Sequence, residues 1–234
     1  WMTLLGVDAS DGRAAAARPR SEANDPAVAV RAAVAGIMLE AMAGRTDGEA
    51  AGVLAALETA HGVLEPHAAA MLHLQEYLAL LSTGRGAQAQ ALAEEQRVGA
   101  SASAAGIWTY TLAVPLTYAG RLTQAGELVE LAQEQLRWRY PLGLLGAARV
   151  LAALVVVQLG DAVRARRLLD QVPAEQRNDP KAAMLVAEAE ALLLVADGEP
   201  DAAAVVVEAA AKQAAANGFG LVAAISLSVC LRIG

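Results

Sequence analysis

Amphipathic helical segments follow one another along this chain, and a glycine recurs where successive segments end. These glycines are Gly44, Gly84, Gly120, Gly160 and Gly198, with spacings of 40, 36, 40 and 38 residues. Glycine readily adopts the left-handed backbone conformation that closes a helix, and a new amphipathic segment starts within a few residues. The pattern therefore predicts one helix hairpin for each repeating unit.

Small and large apolar residues follow these glycines at fixed distances. The small residues stand five positions after the glycine and are Ala89, Ala125, Ala165 and Ala203, with Ala50 displaced by one position in the first unit. The large residues come one helical turn later and are Leu92, Leu128, Leu168 with Leu169, and Val206 with Val207. Small side chains allow two helices to approach closely, and the larger ones would fill the space between layers.

The predicted helices are 26–43, 47–61, 66–82, 87–98, 101–119, 123–137, 141–159, 162–171, 179–196, 200–216 and 219–232. Proline suits the first helical position because its missing N–H would have no partner there, which supports helix starts at Pro26, Pro66, Pro141, Pro180 and Pro200. The 141–159 segment is apolar nearly all round, so we expect neighbours to cover it on several sides. Residues 1–25 are predicted to be a linker or the end of a preceding element, and residues 26–234 a helical-repeat domain.

Composition excludes several classes of protein. The formal net charge of -7 argues against a surface that neutralises nucleic-acid phosphates. Cys230 is the only cysteine, which excludes an intramolecular disulfide and a thiolate zinc site and fits a reducing cytoplasm. The most apolar stretch, 144–160, is shorter than the roughly 20 residues that a membrane-spanning helix needs. We therefore expect a cytoplasmic protein without membrane contact, and the first residue, Trp1, favours a fragment of a longer protein.

The titratable residues form no catalytic or metal-binding pattern. His61, His67 and His73 are six residues apart, which places successive histidines on different faces of a helix. Glu188 and Glu190 are two residues apart and point away from each other, as expected for a solvated helix face. No serine stands in a nucleophile elbow. The sequence therefore predicts a protein that is not an enzyme and that needs no cofactor or metal.

The turn segments resemble the tetratricopeptide repeat. The best match is Leu159-Gly160-Asp161 followed by Ala165, Leu169 and Pro173, and Tyr118-Ala119-Gly120-Arg121 with Ala125 and Ala132 is similar. At the small-residue position of the first helix the chain has Ala113, Ala153 and Ala191. The resemblance covers about 26–234 and implies an all-α, right-handed α-solenoid of about five helix hairpins plus a terminal helix.

The Ala- and Arg-rich composition, the long units and the Ala-Gly-Arg turns resemble the helical-repeat region of large ATP-dependent LuxR-type, maltose-activator-like transcription regulators. In that family an ATPase module precedes the repeats and a helix-turn-helix follows them, whereas this chain has neither a phosphate-binding loop nor a basic recognition helix. The resemblance implies a regulatory domain that binds a small effector or a protein segment, or that self-associates. A stand-alone scaffold without a small ligand is the alternative.

In the tetratricopeptide family the first helix of each hairpin lines the inner wall, and here the inner positions are mostly apolar. Such a strip needs a cover: a ligand, a partner helix, a second copy, or tight curvature of the stack itself. The candidate ligand- or partner-binding residues are Leu74, Leu78, Tyr110, Val114, Tyr118, Val150, Leu154 and Gln158. Among them, Tyr110, Tyr118 and Gln158 supply the polar groups.

Overall fold

The structure is a computed structural model that describes residues 73–74, 76–77, 80–81, 84–102, 104–137, 144–178, 180–218 and 220–233. Within these residues the secondary structure is helical and contains no strand. The helices are α1 (Gly86–Val98), α2 (Ala105–Tyr118), α3 (Leu122–Arg137), α4 (Leu144–Gln158), α5 (Ala162–Asp170), α6 (Ala174–Arg177), α7 (Pro180–Ala196), α8 (Pro200–Ala216) and α9 (Gly220–Ile233). The all-helical prediction is thus confirmed for the described part of the chain.

Most helix bounds in this part agree with the prediction. The predicted starts at Pro180 and Pro200 are confirmed, whereas α2 begins at Ala105 rather than at residue 101. The four-residue helix α6 was not predicted, because four residues are too few to show a helical period. The predicted helices 26–43 and 47–61, with Gly44 and Ala50, lie outside the described residues.

The turns at four recurring glycines share one backbone geometry. Gly84, Gly120, Gly160 and Gly198 have φ angles of 76°, 73°, 90° and 83°. In each turn the glycine N–H donates to the carbonyl three residues earlier, at 2.9 to 3.2 Å. The N–H of the next residue donates to the carbonyl five residues earlier, at 2.9 to 3.1 Å. These two hydrogen bonds form a Schellman C-cap, so the predicted role of these glycines in ending a helix is confirmed.

Burial repeats in register with the turns. The residues five positions after each glycine, Ala89, Ala125, Ala165 and Ala203, are fully buried. The predicted small residues of the preceding helices, Ala113, Ala153 and Ala191, are fully buried as well. The buried positions one turn later are Ala93, Val129, Leu169 and Val207, while Leu92, Leu128, Leu168 and Val206 are half-buried. The same positions of successive hairpins therefore meet the same packing environment.

Helix α4 is the most covered helix of the described residues. It contacts α2, α3, α5, α6 and α7. Its residues Val150, Leu151 and Leu154 are fully buried in the largest apolar cluster, which α5 and α7 also enter. Arg149 is one of the two long polar side chains of α4. Its Nη1 atom donates to Oε1 of Gln176 on α6 at 3.1 Å. The prediction that this helix has neighbours on several sides is confirmed.

Contacts between Cα atoms divide the chain into two units, Trp1–Leu92 with Ala214–Val222, and Ala93–Gln213 with Ala223–Gly234. In the first unit, Tyr77 and Leu80 are buried, and His73 Nδ1 lies 3.4 Å from Glu76 Oε2. The second unit holds all of α2 to α7. The predicted boundary at residue 25 lies outside the described residues and stays a prediction. No helix that the structure describes is long and apolar enough to cross a membrane.

Candidate functional site

Two of the predicted binding residues belong to the apolar core. Val150 and Leu154 are both 0% exposed, so their side chains offer no surface to a ligand or partner. The physical reason is that α4 packs against α3, α5 and α7. Because α4 is apolar nearly all round, its sequence could not distinguish an open inner face from faces that pack against neighbouring helices.

The other predicted residues keep part of their surface or lie outside the described part of the chain. Tyr110 and Val114 are half-buried and pack against the largest cluster. Leu74, in the first unit, is half-buried. Leu78 lies outside the described residues. The remaining two, Tyr118 and Gln158, stand at the C-terminal ends of α2 and α4, and they define the accessible part of the candidate site.

Tyr118 and Glu188 form a hydrogen bond that joins α2 to α7. The Tyr118 hydroxyl donates to Oε2 of Glu188 at 2.9 Å, across 70 residues of sequence. Tyr118 is 36% exposed, whereas Glu188 is 2% exposed. A carboxylate that is removed from water needs strong donors, and the phenol supplies one.

The burial of Glu188 corrects the interpretation of this residue as part of a solvated helix face. Glu190, its neighbour two positions on, is exposed as expected. The sequence could not reveal the difference, because the partner that satisfies Glu188 lies in a distant helix. The one available signal is a glutamate in the middle of a helix whose only other charged residues are Lys181 and Glu190.

A small crevice adjoins the buried carboxylate. It is a shallow gap that has no room for a water molecule. Its lining residues are Met184, Ala187, Glu188, Val207, Ala210, Ser226 and Val229, from α7, α8 and α9. Cavities that hold a drug-sized ligand begin at about 300 Å³, so this crevice as it stands is not a ligand cavity.

Gln158 ends α4 with a buried amide nitrogen. Its Nε2 atom has no hydrogen-bond partner among the residues that the structure describes. A buried donor of this kind costs about 1–3 kcal/mol when it is left unsatisfied. An acceptor oxygen placed beside Gln158 would therefore be bound favourably.

Tyr110 packs its ring against apolar side chains, and its hydroxyl is protonated. The side chain packs against two of the apolar clusters that contain residues of α4. Burial raises the pKa of the Tyr110 phenol above its ordinary value of 10.0, because the phenolate loses hydration. The hydroxyl therefore stays neutral throughout the physiological pH range.

We expect alkaline pH to destabilise the protein through Tyr110. The unfolded chain ionises this phenol above pH 10.0 while the folded chain keeps it protonated, so its contribution to stability is complete below pH 10.0 and falls above it. The loss of unfolding free energy should approach about 1.4 kcal/mol per pH unit. Urea unfolding of Tyr110→Phe between pH 8 and pH 11 should show a shallower decline than the native chain. Identical declines would show that Tyr110 ionises equally in both states.

Metal-ligating side chains are not clustered in the part of the chain that the structure describes. Within the described ranges, no three His, Cys, Asp or Glu side chains are placed to hold a metal ion. Cys230 is a free, half-buried thiol on α9. The polar groups of the candidate site are therefore the partly exposed phenol of Tyr118 and two buried groups, the amide of Gln158 and the carboxylate of Glu188.

Comparisons of the chain with models of protein families, with curated proteins and with solved structures return no match. The resemblance to tetratricopeptide repeats consequently rests on the residues of this chain and on the geometry of its turns.

Proposed function

We propose that this chain is a regulatory, non-enzymatic helical-repeat domain of a LuxR-type transcription regulator, and that its hairpins stack as a right-handed, tetratricopeptide-like α-solenoid. The observation that carries the proposal is the repetition of one turn geometry and one burial pattern through successive hairpins. Repeats that pack alike stack through nearest-neighbour contacts. In support, the first helices α2, α4 and α7 contact one another in that order.

The proposed binding surface lies where the first helices end. Tyr118 and Gln158 each stand two residues before a turn glycine, so they occupy equivalent positions in successive hairpins. A solenoid places equivalent positions side by side, and Glu188 of α7 is already joined to Tyr118. The combination of one phenol, one amide and one carboxylate suits a polar small effector or the backbone of a protein segment.

The hydrogen bond between Tyr118 and Glu188 provides a route from binding to regulation. It connects α2 to α7, while α4 contacts both of these helices. A ligand that donates to Glu188 competes with Tyr118, and release of the phenol allows α2 and α7 to separate. Binding would then favour the more open curvature of the stack, because a ligand shifts a population toward the state that it binds better. The proposal assigns a cytoplasmic location and includes no cofactor, no membrane and no direct contact with nucleic acid.

Thermal melting in the presence of sugars, amino acids and nucleotides tests this proposal. We expect one of these classes to raise the melting temperature, because a ligand that binds only the folded state stabilises it. Gln158→Leu should weaken the affinity for that ligand by about tenfold, the effect of losing one hydrogen bond. Tyr118→Phe should strengthen the affinity, because it removes the hydroxyl that competes with the ligand for Glu188. Val163→Ala, at an exposed position of α5, is the matched control and should bind as the native chain does.

An affinity that neither substitution changes would contradict the assignment of the site.

A scaffold without a small ligand is the second candidate function. The exposed apolar side chains Leu159 and Val163 at the turn between α4 and α5 favour it. Under that function no compound changes the melting temperature, and Leu159→Glu should disrupt an assembly with a protein partner.

A further inference from the structure

The first helices α2, α4 and α7 bring equivalent residues together. The residues six positions before a turn glycine lie in or against the largest apolar cluster, and they are Val114, Leu154 and Leu192. The residues ten positions before a turn glycine are Tyr110, Val150 and Glu188. Tyr110 and Val150 join the same cluster, and Glu188 is 2% exposed. We name these six residues the closed wall, because each of them is buried or half-buried.

The hydrogen bond between Tyr118 and Glu188 requires this row of three helices to bend. Both α2 and α7 contact α4. Helices that pack directly lie about 8–10 Å apart, so a flat row would place the axes of α2 and α7 about 16–20 Å apart, with the body of α4 between them. The Tyr118 hydroxyl nevertheless lies 2.9 Å from Oε2 of Glu188. The row therefore bends around α4 toward the closed wall, and the three helices cover their own apolar side chains.

Tyr118 is the partner in this contact that can be released with the smaller loss of burial. It is the last residue of α2 and is 36% exposed, and the three residues that follow it are exposed. A carboxylate that loses a hydrogen-bond donor gains from contact with water. Because Glu188 is almost entirely buried, water can take the place of the phenol only when the helices separate. Release of Tyr118 and separation of α2 from α7 are therefore coupled.

We propose that the hydrogen bond between Tyr118 and Glu188 is a clasp that keeps the closed wall shut. Its release opens an apolar groove between α2 and α7 with α4 as the floor. Val150 and Leu154, which are 0% exposed in the closed state, become accessible in the open state. The clasp thus inhibits access to the proposed binding surface until an effector opens it, so its regulatory role rests on the proposed function.

Thiol labelling of the complete chain in the absence of any effector tests the clasp. In a Cys230→Ala background, Val150→Cys places a small thiol in the closed wall, where iodoacetamide reaches it only in the open state. We expect Tyr118→Phe to raise the labelling rate by about tenfold, because the loss of one hydrogen bond to a buried carboxylate increases the open population. Val114→Cys, at a half-buried position of the same wall, is a second probe and should respond in the same direction.

Val129→Cys on α3 is the matched control. Val129 is 0% exposed in the same apolar cluster but lies outside the closed wall, so its labelling rate should not respond to Tyr118→Phe. Circular dichroism verifies that each variant is folded. Equal increases at Val129 and Val150 would overturn the proposal, since they would show a general loosening of the fold, and so would an unchanged rate at Val150. Because no effector is present, these outcomes are separate from the effect of Gln158→Leu on affinity, which tests the proposed function.

Discussion

Leu154→Ala should lower the free energy of unfolding by about 2–5 kcal/mol. Leu154 is 0% exposed and lies in the largest apolar cluster, between residues of α3, α5 and α7. Truncation removes buried methyl groups and leaves a cavity that densely packed neighbours fill only in part. A ligand-contacting leucine on an open surface would show a much smaller loss, so the size of the effect distinguishes a packing role from a binding role.

Urea denaturation followed by circular dichroism measures this loss. Val163→Ala on α5 is the control, because its 61% exposed side chain buries little surface, and its effect should stay within about 0.5 kcal/mol. A Leu154→Ala loss below about 1 kcal/mol would contradict the core assignment. It would return Leu154 to the accessible surface together with Tyr118 and Gln158.

Ala165→Leu should destabilise the protein by about 1–3 kcal/mol, even though leucine is a good helix former. Ala165 of α5 and Ala153 of α4 are both fully buried in one cluster. Their small side chains allow the two helices of this hairpin to approach each other. Three additional carbon atoms at Ala165 have no space unless the helices separate, which weakens the contacts along the whole hairpin.

The matched control is Ala183→Leu, at an exposed position of α7. It introduces the same side chain into a helix without overfilling a contact, and it should change the unfolding free energy by less than about 0.5 kcal/mol. Equal effects of the two substitutions in urea denaturation would show that Ala165 is not at a close helix crossing. The repeated alanine positions would then lose their significance as packing positions.

The hairpin turns could be predicted from the sequence because their causes are local. Gly120, Gly160 and Gly198 each supply a backbone conformation that other residues rarely adopt, and the two hydrogen bonds of the turn involve only main-chain atoms. The buried alanines could be predicted too, because their distance from the glycine fixes their position on the helix. Local geometry repeated several times is visible without knowledge of tertiary contacts.

The candidate site could be predicted only in part, because it depends on contacts between residues that are far apart in the sequence. The sequence predicts Tyr118 and Gln158, with Tyr110, as the polar groups of the inner wall. Glu188 was missed because its burial depends on a phenol that is 70 residues away. The sequence predicts Val150 and Leu154 on an open surface, because it does not show whether solvent, a ligand or a neighbouring helix covers an apolar residue.

The main-chain closure of the hairpin turns bears on how such a chain can change in evolution. A turn that needs one glycine and no side-chain partner keeps its shape whichever hairpin comes next. A duplication or deletion of the 36 to 40 codons between two of these glycines would therefore preserve both junctions. We expect relatives of this protein to differ in length by whole hairpins more readily than by fractions of one.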